Sequence, residues 1–324
     1  MAEMAEAPHE RVLIYDRIGA NKRSTFFLLL GFIVFTALFA TAVATIVASY
    51  SGVNVANDPG TVIRVAVASV LIATGVGIVM YYISTAAVLA ITGGHEVTKE
   101  EEPDLYRVVE NLAIGSGLPM PRVFVVEDDA PNAFATGRNP QNAVVAATRG
   151  LLNKLDHNEL EAVMAHEMSH VGNYDTRMMT TVAVVVGITA AAADLLLRFT
   201  WFGAGARSGN RDKGNDGLGA VLLVIAIIFV VISPIIAAIM RMALSRQREY
   251  LADSCGALLS RNPGALADAL EKISQDPVPL HDANKATAAL YIENPLREHD
   301  SFLNNLFDTH PPVQERIKVL RAMG

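Results

Sequence analysis

Hydrophobic residues are concentrated in four long stretches of this chain, and these stretches carry few or no charged side chains. The first covers residues 25–49, inside an interval without any acidic or basic residue between Arg23 and Asp58. About 20 apolar residues are enough for a helix to cross a bilayer, and a helix satisfies its own backbone hydrogen bonds there. A cleaved signal peptide is disfavoured because its apolar core is only about 7–15 residues long. The pattern therefore predicts a retained membrane helix at 25–49.

The remaining apolar stretches predict three more hydrophobic helices. They cover residues 65–92, 178–202 and 217–240. The first of them completes a predicted transmembrane hairpin over 25–94. The other two predict a second hydrophobic hairpin over 178–240, interrupted by Asp194 and Arg198, which lie four residues apart on one helical face. For this second pair, a hairpin that packs on the protein or lies at the membrane interface is the alternative to two full spans.

Basic residues around the first pair of spans predict its orientation. Residues 1–24 contain four Lys and Arg side chains, whereas the connecting loop 50–61 contains none. Because positively charged flanks stay on the cytoplasmic side, residues 1–24 are predicted to form a cytoplasmic N-terminal segment. Two crossings then return the chain to the cytoplasm at about His95.

The composition agrees with a membrane protein and excludes several function classes. Hydrophobic residues make up 52% of the 324 positions and charged residues 18%, against a usual charged share of about 25%. The net charge of −7 argues against nucleic-acid binding, which requires a basic face. The single cysteine, Cys255, excludes an intrachain disulfide and a metal site built from clustered cysteines.

Residues 95–177 and 241–324 lie outside the hydrophobic hairpins and predict one compact, mostly α-helical domain with a small sheet. Strands are predicted at 122–127, 133–137 and 143–148. Helices are predicted to begin at Pro103, at Asn262-Pro263 and at Pro311-Pro312, because proline suits the first helical turn.

The motif with the clearest chemistry is H-E-x-x-H, formed by His166, Glu167 and His170. Its helix is predicted to begin at a capping box of Asp156 and Glu159. Four residues turn a helix by about 400°, so the two imidazoles emerge one turn apart on one face and can bind one zinc ion. Glu167 is then placed to take a proton from a metal-bound water. Surface polar residues are the alternative, but buried histidines are costly unless they are paired or metal-bound.

A catalytic zinc ion needs a third protein ligand and an open fourth position. The candidate is Glu249, in the segment 245–253, with Asp253 four residues later on the same helical face. Asp253 is predicted to accept a hydrogen bond from the outer nitrogen of a ligand imidazole. An exposed helix with ordinary charge pairs is the alternative, which the apolar residues 257–259 disfavour.

In combination, these segments resemble the HtpX-type integral-membrane zinc metalloproteases, which are relatives of the CAAX prenyl endoproteases. The resemblance rests on the motif at 166–170, on 245–253, on 131–137, and on 309–312 together with Arg316. These segments occur in the family's order, between hydrophobic stretches placed as in the family. The resemblance covers nearly the whole chain and is more specific than any one motif.

The resemblance implies a zincin-type (gluzincin-like) cytoplasmic metalloprotease domain in which His166, His170 and Glu249 bind one Zn²⁺ and Glu167 is the catalytic base. It also implies cleavage of membrane or misfolded proteins in quality control and stress response, at the cytoplasmic face of the cell membrane. For Glu249 to reach the two histidines, the hairpin between them must begin and end on one membrane face. That hairpin therefore crosses the bilayer twice or not at all.

Several further residues have two interpretations each. The candidate substrate strand comprises Asn132, Ala133, Phe134 and Ala135. It is predicted either to bind substrate by strand addition at a sheet edge or to be an ordinary core strand. His310 would either donate to the oxyanion of the reaction or cap the last helix. Arg316 is expected to pair with an acidic group near the site rather than to contact substrate.

The same residues leave two alternative functions to consider. A prenyl-protein endoprotease is disfavoured because four hydrophobic segments do not easily enclose a prenylated tail. A non-catalytic membrane scaffold or chaperone with a structural zinc ion is disfavoured because such a closed site has no use for Glu167. The sequence leaves the oligomeric state and the identity of the substrates open.

Overall fold

The computed structural model describes residues 14–50, 59–187, 194, 246–280, 290–292 and 311–323. Two long helices come first, α1 (Ile14–Tyr50) and α2 (Pro59–Thr92). Their apolar segments, Ile18–Thr41 and Gly60–Thr92, are long enough to cross a bilayer. The two predicted helices of the first hairpin are therefore confirmed as candidate membrane helices. Of the predicted hairpin over 178–240, residues 178–187 and 194 are helical, and the rest lies outside the described residues.

The packing and exposure of α1 and α2 agree with a lipid environment. A Cβ atom at Gly77 of α2 would lie 3.1 Å from the side chain of Ile33 in α1, so the glycine allows a close helix contact. Leu38, Leu71 and Ile72 point away from the protein and are 67%, 68% and 67% exposed. Large apolar side chains in such number are costly in water and suit contact with acyl chains.

A mixed four-stranded sheet follows the helical hairpin, with strand order β1-β2-β4-β3. The strands are β1 (His95–Glu96), β2 (Arg122–Val126), β3 (Ala133–Thr136) and β4 (Val144–Thr148). Strand β4 is parallel to β2 and antiparallel to β3, while β1 is antiparallel to β2. Three strands lie where the sequence predicts them, within one residue at each end. Strand β1 was not predicted from the sequence, because its two residues carry no hydrophobic pattern.

Seven further helices occur in the described part of the chain after α2. They are α3 (Pro103–Ser116), α4 (Arg149–Lys154), α5 (His157–Gly172), α6 (residues 175–187), α7 (Arg246–Ser260), α8 (Pro263–Ser274) and α9 (Val313–Arg321). Local signals fix their ends. Gly117 ends α3 with a φ of 68°, and the Asn262 side chain accepts a hydrogen bond from the Ala265 N–H. The predicted capping box starts α5, since Asp156 and Glu159 each accept from the other's backbone N–H.

The sheet separates two hydrophobic cores because successive side chains of a strand point to opposite faces. Val123 and Val125 of β2 lie in the core that surrounds α5. Phe124 and Val126 lie in the other core, together with Phe32 of α1. The same strand therefore packs against the helical domain on one face and against the membrane hairpin on the other.

Cation–π contacts also join the hairpin to the domain. The pairs are Lys22 with Tyr174, Arg177 with Tyr81, and Arg138 with Tyr82. Each such contact is worth about 0.5–1 kcal/mol at an exposed site. Together with the shared core, they hold α1 and α2 in a defined position beside α5 and α6.

Candidate metal centre

Helices α5 and α7 cross closely because Gly256 of α7 has no side chain. A Cβ atom at this position would lie 2.9 Å from both the backbone N and the Cα of His166. Glu249 precedes Gly256 by two helical turns, so both residues lie on the same side of α7. The close crossing at the glycine therefore brings the Glu249 carboxylate towards the histidines of α5.

His166, His170 and Glu249 form a compact cluster of buried groups that could hold a metal ion. The Nε2 atoms of His166 and His170 are 3.2 Å apart. Carboxylate oxygens of Glu249 lie 3.8 Å from the first nitrogen and 3.7 Å from the second. Ligands held tetrahedrally at about 2.0–2.1 Å from zinc lie roughly 3.3 Å from one another. The donor atoms and their separations therefore fit a zinc site with three protein ligands.

A carboxylate lies behind each of the two imidazoles. The Nδ1 atom of His166 is 2.9 Å from Oδ1 of Asp253, and the Nδ1 atom of His170 is 3.2 Å from Oδ2 of Asp175. An imidazole that donates its Nδ1–H to a carboxylate presents the Nε2 lone pair to a metal, with the ring orientation fixed. The structure thus places Asp253 beside His166, and it places Asp175 in the equivalent position beside His170.

Asp175 is the site residue that the sequence analysis missed. Tyr174 has a φ of 60°, in the left-handed region, and the chain therefore turns sharply between the end of α5 and the start of α6. The turn directs Asp175 back towards His170. The available signal was an acidic residue five positions after His170, beside the turn-forming residues Gly172 and Asn173.

Arg316 of α9 ties the Asp253 carboxylate to the rest of the domain. Its Nε and Nη2 atoms donate to the two Asp253 carboxylate oxygens at 2.9 Å and 2.7 Å. Its Nη1 atom donates to the Ile292 carbonyl at 3.0 Å and lies 3.7 Å from Oε2 of Glu249. Bidentate pairs of this kind are geometrically specific as well as strong. Arg316 therefore pairs with an acidic group beside the site.

Burial and the neighbouring Asp253 have opposite effects on the pKa of His166. Burial lowers the pKa of the His166 imidazole below its ordinary value, although Asp253 acts to raise it. Burial raises the pKa of the Asp253 carboxyl, but Arg316 and His166 outweigh this effect and lower the pKa to about 2. Asp253 is therefore ionised and His166 neutral at physiological pH, which is the protonation pattern that metal binding requires.

The surroundings of His170 are more negative. Burial acts to lower the pKa of His170, but Asp175, Glu249 and Glu167 outweigh it and raise the pKa to about 9. The same carboxylates that favour a proton on this imidazole also favour a divalent cation beside it. Glu167 is itself only 1% exposed and close enough to act on His170, next to the ligand cluster rather than in solvent.

The candidate substrate strand forms most of β3, which is one of the two edge strands of the sheet. Asn132 precedes the strand, and Ala133, Phe134 and Ala135 lie within it. Its outer edge carries a short segment of the same chain, since the Ile292 N–H donates to the Ala133 carbonyl at 2.9 Å and residue 291 pairs antiparallel with Phe134. His310 lies outside the described residues.

Comparisons with known proteins identify relatives over almost the whole chain. Residues 99–324 match the model of Peptidase family M48. The chain is 43% identical over 310 residues to "Protease HtpX homolog" of Dictyoglomus turgidum, with 96% of this chain and 95% of that protein covered. The protein of the same name in Listeria monocytogenes is 40% identical over 316 residues, with coverages of 96% and 100%. The solved structure of Ste24p from S. mikatae matches with a TM-score of 0.41 and 19% identity, covering 75% of this chain and 57% of that one.

The family model covers the metal cluster, and the relatives cover the helical hairpin as well. A His-His-Glu cluster of buried ligands is typical of the zinc proteases of this family. The chain therefore belongs to Peptidase family M48, as a zinc metallopeptidase of the HtpX type.

Proposed function

We propose that this protein is a membrane-anchored endopeptidase with one zinc ion per chain, which cuts membrane proteins and misfolded proteins at the cytoplasmic face in protein quality control. The observation that carries the proposal is the convergence of two helices on one cluster. His166 and His170 on α5 meet Glu249 on α7 within a few ångströms, and each imidazole has its own carboxylate behind it. A cluster that leaves one metal position open suits catalysis rather than a structural role.

The roles of the chain's own residues in hydrolysis follow from this arrangement. When bound, zinc supplies a water of lowered pKa and polarises the scissile carbonyl. Glu167 takes the proton from the attacking water and passes it to the leaving amine. Its burial keeps that carboxylate in a low-dielectric environment, where transfer to a nearby group is favoured over exchange with bulk water. Asp253, Asp175 and Arg316 hold the ligand side chains and do not contact the substrate.

The membrane arrangement supports a cytoplasmic active site. Basic residues are found among residues 1–24 and are absent from the loop 50–61, which favours a cytoplasmic N-terminus. The metal cluster lies beside the N-terminal part of α1, because Asn21 contacts Asp175. We therefore assign the catalytic domain to the same side of the membrane as the N-terminus. In this arrangement α1 and α2 lie in the lipid bilayer.

Substrate binding at β3 is part of the proposal. Residues 291 and 292 already lie on the outer edge of this strand, in antiparallel register at Phe134, so the edge accepts an extended main chain. Strand addition aligns a substrate through backbone hydrogen bonds and places few demands on its sequence. A substrate that binds here would take the place of residues 291 and 292, which suits a protease acting on unfolded chains.

The test of the proposal is the pair of variants Glu167→Gln and Glu161→Gln, in full-length protein purified in detergent. Both remove one carboxylate from α5, but Glu161 is outside the metal cluster. We expect Glu167→Gln to bind one zinc ion per chain and to lose at least about a thousandfold in the cleavage of an unfolded, non-prenylated protein. Glu161→Gln should keep zinc and cleave at the wild-type rate.

Three outcomes would contradict the proposal. Retained turnover in Glu167→Gln would reject the assigned base. Cleavage that survives removal of zinc by a chelator would reject the zinc mechanism. Activity that requires a prenylated substrate would favour the alternative of a prenyl-protein endoprotease.

A further inference from the structure

Asn21 is a buried polar residue at the N-terminal end of the apolar segment of α1, and it is only 6% exposed. Its Nδ2 amide has two hydrogens, and the structure gives each of them an acceptor. One acceptor is Oδ1 of Asp175 at 2.7 Å, and the other is the carbonyl of Asn173 at 2.9 Å. The side chain therefore closes the turn that connects α5 to α6.

The carboxylate that Asn21 holds is the one behind a metal ligand. Asp175 is 1% exposed, and its other oxygen, Oδ2, lies 3.2 Å from Nδ1 of His170. Arg248 also faces Asp175, but its Nε atom is 3.8 Å from Oδ1, farther than the Asn21 amide. A continuous chain of contacts therefore runs from α1 through Asp175 to the imidazole of His170.

The position of Asn21 is itself fixed by contacts on both sides. Thr25 donates from its hydroxyl to the Asn21 carbonyl at 2.8 Å, one turn further along α1. The neighbouring Lys22 ammonium lies 4.1 Å from the centroid of the Tyr174 ring, in the same turn that Asn21 closes. The α1 backbone is thus docked on residues 173–175 and does not merely pass near them.

We propose that Asn21 is a positioning residue for the metal ligand His170, so that the first membrane helix completes the metal site as well as anchoring the protein. The amide binds Oδ1 of Asp175 and so keeps the other oxygen, Oδ2, directed at Nδ1 of His170. Without the amide, Asp175 loses its shortest contact to Oδ1, and the His170 ring loses part of its orientation. This inference rests on the zinc site of the proposed function.

The experiment measures zinc affinity, not only activity. Full-length wild-type protein, Asn21→Leu and Thr36→Val are stripped of metal in detergent, and Zn²⁺ is returned in competition with a chromophoric chelator. Leucine matches the size of asparagine and removes the donor. Thr36 is the control on the same helix, where its hydroxyl donates to the Phe32 carbonyl. We expect about tenfold weaker zinc binding for Asn21→Leu, at the lower end of the range for residues that support metal ligands, and no change for Thr36→Val.

A double-variant cycle separates positioning from general stabilisation. If Asn21 acts through Asp175, then Asn21→Leu should add less than about twofold to the loss of zinc affinity already caused by Asp175→Asn. Cobalt-loaded Asn21→Leu should also show visible absorption bands that differ from those of the cobalt-loaded wild type, since the bands report ligand geometry. Thr36→Val should keep the wild-type bands.

Wild-type zinc affinity and unchanged cobalt bands in Asn21→Leu would overturn the inference, as would full additivity with Asp175→Asn. If the leucine variant does not fold, Asn21→Asp replaces it in the same measurements. Aspartate keeps the shape of asparagine but, when ionised, cannot donate to Asp175 and repels it, so the same loss of zinc affinity is expected. The two proposals fail separately. Turnover by Glu167→Gln would reject the mechanism, whereas zinc affinity in the Asn21 variants tests only the contact with α1.

Discussion

The two ligand histidines have the same chemistry but are supported by different parts of the molecule. His166 is backed by Asp253, which Arg316 holds from the other side. All three residues belong to the helical domain. His170 is backed by Asp175, which Asn21 of the first membrane helix holds. One imidazole is therefore oriented from within the domain, and the other depends on a contact with the membrane hairpin.

This difference shows how a membrane protease can link catalysis to its anchor. The half of the site around His166 contains a buried ion pair, whose loss leaves an uncompensated charge in the core. The half around His170 has the neutral Asn21 amide as its short contact to Asp175, with Arg248 farther away at 3.8 Å. Loss of a neutral amide costs less than loss of a short buried ion pair. We expect damage to the first half to lower the stability of the domain, and damage to the second half to weaken metal binding in a protein of nearly unchanged stability.

The largest effect should come from Asp253→Asn. The change removes the negative charge that pairs with Arg316, which is 1% exposed, and leaves a single amide oxygen where two carboxylate oxygens faced Arg316. Breaking a buried ion pair by removing one partner costs about 3–5 kcal/mol. Urea unfolding of the full-length protein in detergent, followed by circular dichroism, would measure the loss. A loss under about 1 kcal/mol would show that the domain does not depend on this half of the site.

The same variant should have a pH dependence that identifies Asp253 as the cause. The pKa of Asp253 is about 2 in the folded protein and about 3.9 in an unfolded chain. Because the folded pKa is the lower one, the stabilisation is fully present above about pH 4 and is lost as the pH falls towards 2. The difference in unfolding free energy between wild type and Asp253→Asn should therefore be constant above pH 4 and shrink below it. A difference that stays constant down to pH 2.5 would contradict this account.

Gly256→Ala should have an intermediate effect, and it acts on the geometry that joins the two halves. The new Cβ would lie 2.9 Å from the backbone of His166, so α7 must move away from α5. Overpacking of this kind costs about 1–3 kcal/mol, and it also moves Glu249 away from both histidines. We expect a lower melting temperature and weaker zinc binding. Gly115→Ala is the control, because its Cβ would have its nearest contact at 3.6 Å.

The smallest effect should come from Arg122→Ala, which removes an exposed ion pair and serves as the reference for the buried Arg316–Asp253 pair. Arg122 pairs with Glu96 through the same two atoms as the Arg316 pair, at 3.0 Å and 2.6 Å. Both side chains are more than half exposed. Exposed ion pairs contribute about 0–1 kcal/mol, so we expect a loss within that range and unchanged zinc affinity. A loss as large as that of Asp253→Asn would show that burial is not what distinguishes the two pairs.

Much of this architecture is predictable from local sequence signals. The capping box at Asp156 starts α5 as predicted, and the glycine at 117 ends α3. The spacing of His166 and His170 places both imidazoles on one helical face, and this follows from helix geometry alone. The strands were also predictable in position, because their hydrophobic runs are bounded by turn residues.

The features that depend on long-range packing were not predictable. The parallel pairing of β2 with β4 joins segments whose sequences specify no partner. Asp175 reaches His170 only because Tyr174 adopts a positive φ, and nothing in the local pattern requires that conformation. Asn21 and Gly256 act through segments far away in the chain, so their roles become visible only when the helices are assembled.

The docking of α1 has a consequence for the reach of the enzyme. The uncharged stretch of α1 begins immediately after Arg23, and Asn21 is therefore less than one helical turn, about 5 Å, from it. In the proposed orientation, the metal cluster sits just below the lipid headgroups. An extended chain advances by about 3.3 Å per residue, so a polypeptide leaving the bilayer would arrive at the metal cluster after only a few residues. Under the proposed function, peptide bonds only a few residues from the membrane surface would therefore be within reach.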